Sequence, residues 1–206
     1  MFSEVYWHHA VRSATAMLQR AFYLLYPRLD LDKLFRLPEW PWIERLREEA
    51  GRGPAGELLD GLFGSTRCLY KRCAQFSFFQ ERELYERLAR RPYTWLAACT
   101  EQVALQLSAT LGQQILPHEV LLDAPPVKRE VEFQVEVYFA KEKCYRPFRD
   151  VSPVIQTLAE RQFDDFVKRV RLFIHPRRIA VCQTLVDLPA LLHRAIDATP
   201  SGASDG

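Results

Sequence analysis

The apolar residues of this chain change their period once, and that change limits the fold more than any other feature. Up to Gly112 they recur at intervals of three and four, and from Val120 onward they alternate. The first period belongs to a helix with one buried face and the second to a half-buried strand. The chain therefore reads as α+β, a mostly helical N-terminal half followed by a small mixed sheet with covering helices. Val5, Val11, Met17, Leu18, Ala21, Phe22, Leu24 and Leu25 carry a first helix to its stop at Pro27. Shorter helices are expected over 29–37, 41–50, 54–62 and 81–89, then a long one over 93–111 with Gly112 as its left-handed cap. A short strand falls at 69–76. Strands also follow from Val120-Leu121-Leu122, from the alternation of Val131, Phe133, Val135, Val137 and Phe139, and from Val170, Leu172 and Ile174. Ser152-Pro153 opens a helix to about 167, and Asp187-Leu188-Pro189 starts the last one. Residues 1–112 thus form a helical region, 113–198 a small α+β region and 199–206 a disordered tail.

With 206 residues, 48% hydrophobic and 26% charged, the chain can bury a core and lacks the composition of a disordered segment. A net charge of +2 gives no general attraction to nucleic acid or to a membrane, so any basic site must be local. Residues 168–173 mix basic and aromatic side chains; they read as a sheet edge charged against aggregation in preference to a surface for single-stranded nucleic acid. No run approaches the ~20 apolar residues of a membrane span. Glu4, His8 and His9 stand where a signal peptide needs a basic and then an apolar stretch, and the five cysteines form no CxxC pair. A cytoplasmic protein with reduced thiols is expected.

Nucleophile elbows, Walker loops and dinucleotide fingerprints are all missing, and Gly61-Leu62-Phe63-Gly64 is a bare GxxG that reads as a helix end. The five histidines form no HExxH and no His-Asp pair, and Asp164-Asp165 would point about 100° apart on a helix. No metal ligand set and no catalytic residue is therefore expected within this chain. The first helix is richer. Tyr6, His9 and Ser13 share one face, with His8 and Arg12 on the next. A phenol, two imidazoles and a guanidinium can hydrogen-bond a sugar hydroxyl and neutralise phosphate. The alternative is that Tyr6 and Trp7 are core and neighbours satisfy the histidines.

Val5-Tyr6-Trp7-His8-His9-Ala10-Val11-Arg12 with Ala14-Thr15-Ala16-Met17 resembles the helix that follows the metal site in HD-domain phosphohydrolases related to the dNTP triphosphohydrolases. Matching stretches continue in family order at Arg67-Cys68-Leu69-Tyr70-Lys71-Arg72, at 117–126, at Val151-Ser152-Pro153-Val154 and at 162–176. By this resemblance Tyr6 packs against the substrate sugar, with His8 and Arg12 beside it as further substrate-binding residues. His9 matches a basic position that helps hold a regulatory nucleotide, and either Arg146 or Arg149 reaches that same site. The family uses a divalent metal (Mn, Mg or Fe) held by His, His-Asp and a distant Asp, all of which precede the region matched here. The resemblance implies a substrate-side and regulatory portion, inactive alone, that works as a homo-oligomer or with an HD-containing partner segment. The alternative is a non-enzymatic nucleotide-binding or interaction module assembling on an HD-domain partner. In either case the first helix lacks the helices it would pack against and exposes an apolar patch.

Overall fold

The structure, a computed structural model, describes residues 8–126, 136–147 and 168–200. Helix α1 (His9–Leu25) runs into a 3₁₀ turn, Tyr26–Arg28, where Pro27 has no N–H to continue the ladder. A one-turn helix α2 (Leu31–Leu34), capped by the Asp30 carboxylate, leads to α3 (Glu39–Ala50) and α4 (Pro54–Phe63). Strand β1 (Lys71–Phe76), α5 (Arg82–Leu88) and the long α6 (Tyr93–Leu111) follow, and Gly112 closes α6 at φ 62°. Next come β2 (Val120–Asp123), the hairpin strands β3 (Glu136–Phe139) and β4 (Cys144–Pro147), and β5 (Val170–Ile174). The described chain ends with α7 (Ile179–Leu185), which the sequence pattern does not announce, and α8 (Leu188–Ala198), where the Asp187 carboxylate accepts the Ala190 N–H at 3.2 Å. The α+β expectation holds, but the expected mixed sheet is corrected, since pairing is antiparallel throughout the described strands. Tyr6, Arg149, residues 131–135 of the expected alternation and the expected helix from 152 to 167 lie outside the described residues.

The main sheet has the order β1-β5-β2, so the last strand in sequence is the middle one in space. All five residues of β5 are buried because helices cover both faces of the sheet. Val170, Leu172 and Ile174 join Val120 and Leu122 in a core with α5, α6, α7 and α8. Phe173 and Leu121 point the other way, into a core with α1, α3 and α4. Alternation of side chains along β5 thus feeds two separate hydrophobic layers. The expectation of a charged edge at 168–173 is corrected: these residues enter and form the middle strand, with Lys168 and Arg171 both buried. A charge in that position needs partners, and the sequence pattern had no means of showing them.

Two local contacts fix how the layers meet. A Cβ on Gly61 would stand 2.8 Å from the Met17 methyl and 2.9 Å from the Cys68 carbonyl, so glycine lets α4 close onto α1. The GxxG glycines therefore divide their work, Gly61 packing inside α4 and Gly64 following its end. On the far side, the fully buried Glu119 carboxylate accepts Arg177 Nε at 2.6 Å, Arg178 Nε at 3.2 Å and the Leu116 N–H at 2.8 Å. Burial alone would push this carboxyl up, but those donors outweigh it and hold it below the ordinary carboxylate value. Glu119 thereby buckles the entry of β2 to the turn after β5.

Candidate functional site

His8 is the N-cap of α1, its Nδ1 accepting the Ala10 N–H at 3.4 Å, and the exposed His9 ring lies 4.2 Å from it, centroid to centroid. One turn on, Arg12 points at the sheet. Its Nε donates to Asp123 Oδ2 at 3.0 Å and its Nη2 to Asp123 Oδ1, a two-pronged pair at the end of β2. Ser13 beside it is buried and donates to the Tyr70 carbonyl at 2.8 Å. The register then extends the charge row across the sheet, because Gln75, Arg171 and Asp123 stand opposite one another on β1, β5 and β2. Arg171 Nε donates to Gln75 Oε1 at 3.3 Å, and its Nη1 lies 4.0 Å from Asp123 Oδ2.

This corner of the molecule is cationic. Burial is the largest influence on His9 and depresses its pKa, and the charges of His8, Arg72, Arg171 and Lys71 depress it further. Arg171 is brought down to about 10, first by burial and then by Arg12, Arg72 and Arg169, against the opposing pull of Asp123. Imidazoles, guanidiniums and an ammonium thus gather where the helix dipole of α1 is also positive. Such a corner can take an anion, with the two histidines and Arg72 on its outer side.

A divalent cation does not fit there: Asp123 is already held by two arginines, and among the described residues no group of three or more His, Cys, Asp or Glu could hold a metal ion. Of the residues singled out by sequence, the structure brings His8, His9 and Arg12 together. Arg146 lies on the β3–β4 hairpin, where it pairs with Glu142 and covers the Phe139 ring at 5.3 Å. Asp123, Arg171, Arg72 and Gln75 were not singled out as site residues. The stretches of family resemblance 67–72, 117–126 and 162–176 nonetheless hold Arg72 at the start of β1, Asp123 on β2 and Arg171 on β5, while Gln75 lies outside them.

The other face of α1 is open. Val11 is 45% exposed, Tyr26 55% and Phe35 67%, and Phe22 joins them with ring centroids 6.4 Å from Tyr26 and 6.3 Å from Phe35. With Leu18, which like Phe22 is half-buried against the core beneath α1, these form a partly exposed apolar stripe.

Residues 1–176 match the family described as HD associated region. The chain belongs to that family. Neither a curated protein nor a solved structure matches it. Membership as an HD-associated region implies an HD domain as partner. No helix among the described residues is long and apolar enough to cross a membrane.

A separate titration accompanies the site. His175, after β5, accepts the Arg177 N–H on Nδ1 at 3.2 Å, and burial together with Arg177 lowers its pKa from 6.5. A lowered histidine pKa stabilises the fold fully above the unfolded value, and that contribution is lost as pH falls through the window below it. His9 acts in the same direction. The melting temperature is expected to drop between about pH 7.5 and about pH 5, and His175→Gln should flatten the drop. A wild-type pH profile in that variant would contradict this assignment.

Proposed function

We propose that this HD-associated region is the substrate-side and regulatory portion of an HD-domain phosphohydrolase acting on nucleotides, with the metal-binding ligands supplied by the HD domain. The observation that carries the reading is the division of α1 into two working surfaces. Its open face, Val11 to Tyr26 with Phe35, receives the HD domain. Its N-terminal end presents His8 and Arg12 to the phosphates and sugar of the substrate, with Asp123 fixing the Arg12 guanidinium plane, and His9 beside them to a regulatory nucleotide. Tyr6 of the preceding segment packs on the sugar. The depressed His9 stays neutral near pH 7 in the free chain, and an arriving phosphate favours its protonated form, so binding takes up a proton there. Either Arg146, on the β3–β4 hairpin, or Arg149 reaches the regulatory nucleotide held by His9. Glu142 already holds Arg146, so an effector phosphate must displace that carboxylate.

Mixing the chain with an HD-domain protein that carries the His, His-Asp and Asp set tests this reading. The complex is expected to hydrolyse nucleotides with added divalent metal, while the chain alone does not. Val11→Glu should abolish the complex with little change in melting temperature, since Val11 is half exposed. The double variant His8→Ala, His9→Ala should leave the complex intact and weaken nucleotide binding by roughly tenfold or more. Assembly without any nucleotide binding would instead identify an interaction module, and binding without turnover a nucleotide-binding one.

A further inference from the structure

A second cleft, of about 410 Å³, opens at the C-terminal end of α5, on residues distinct from those of the α1 site. Its floor is Tyr85 and Ala89, both buried, and Phe78 forms a wall, meeting Tyr85 edge-on with ring centroids 5.8 Å apart. Arg82 covers Phe78 at 4.7 Å, so the aromatic wall is held in place. Glu86 lies on the rim and is oriented by Arg82 Nε at 2.8 Å.

Among the described residues the remaining lining is Arg90 and Arg91, and both make contacts outside the cleft. Arg91 Nε donates to the Arg87 carbonyl at 3.0 Å while its guanidinium lies 4.9 Å from the Trp95 ring centroid. Arg90 has φ 62°, the left-handed conformation that glycine adopts freely and a side chain does not, and its N–H donates to the Pro125 carbonyl at 2.8 Å. The position after a helix C-cap usually goes to glycine or asparagine. An arginine there breaks the local rule where a second arginine, an aromatic wall and a cavity of ligand size meet.

We propose that this cleft binds a small aromatic anion that also carries a hydrogen-bond donor. The ring lies against Phe78 above Tyr85, the carboxylate or phosphate is taken by Arg90 and Arg91, and the donor faces Glu86. Aromatic amino acids and nucleoside monophosphates share this chemistry, and the two probes of the test separate them. L-tryptophan and adenosine 5′-monophosphate are titrated into the full chain by calorimetry and by amide NMR. At least one is expected to bind saturably, with shifts centred on residues 78–91. Arg90→Gly removes the guanidinium and relieves the backbone; it should melt at or above the wild-type temperature yet bind at least about tenfold more weakly. Phe78→Leu should also weaken binding. Failure of both probes to bind saturably, or wild-type affinity in Arg90→Gly, overturns the proposal.

Discussion

Asp123→Ala is expected to lower stability by about 3–5 kcal/mol, the cost of leaving a buried charge without its partner. The Asp123 side chain is 1% exposed and Arg171 6%, so water cannot replace the carboxylate between them. Arg12 would lose both of its bonds to Asp123 at once, and with them goes the tie between the N-terminal turn of α1 and β2. Asp123→Asn keeps the shape and one acceptor but removes the charge, and should fall between the two. Urea denaturation with a constant m-value measures the loss, and hydrogen exchange should report faster opening at the start of α1. A loss under about 1 kcal/mol would mean that the arginines repair themselves with another acceptor.

Phe173→Ala should cost about 3–5 kcal/mol as well, for a different reason. This ring is fully buried in the middle strand, on the face toward α1 and α4, where Met17, Leu58 and Leu121 share its core. Removing it opens a cavity beneath α1 that rigid strand pairing on both sides of β5 does not let the sheet close. Chemical denaturation gives the magnitude. The cavity should also loosen α1 in hydrogen exchange while α6, which packs on the opposite face, keeps its protection until global unfolding. Equal loosening of both helices at low denaturant would show that the two layers are not separable in this way.

How far the sequence foretold these features depends on what each residue pairs with. Helices α4 and α6 were legible because their signals are local: Pro54 at the first turn, Gly112 past the last, and apolar spacing between. The strand over 170–174 was legible as a strand for the same reason, since Val170, Leu172 and Ile174 alternate. Its place in the sheet was not. Arg171 in the alternating gap looks like a solvent-facing residue, and only the register with Gln75 and Asp123 shows that it faces α1 instead. The cationic corner was half legible. His8, His9 and Arg12 are neighbours along one helix, whereas Lys71, Arg72 and Arg171 arrive from strands distant in sequence. The short α7 escaped because its β-branched residues, Ile179 and Thr184 among them, are weak helix formers, unlike the Arg, Glu and Leu of the equally short α5.

Placing β5 between two strands that precede it has a consequence for the order of events during synthesis. β1 and β2 make no ladder with each other, and each finds its only described partner in β5, the last of the described strands to leave the ribosome. Until then both present open hydrogen-bonding edges, and the aromatic and aliphatic residues destined for two cores have only helices to shelter them. Pairings of such sequence separation form slowly compared with the local contacts of a helical bundle. The nascent chain is therefore most exposed to strand-to-strand aggregation in the interval before β5 emerges, and a fragment ending ahead of it would keep that hazard permanently.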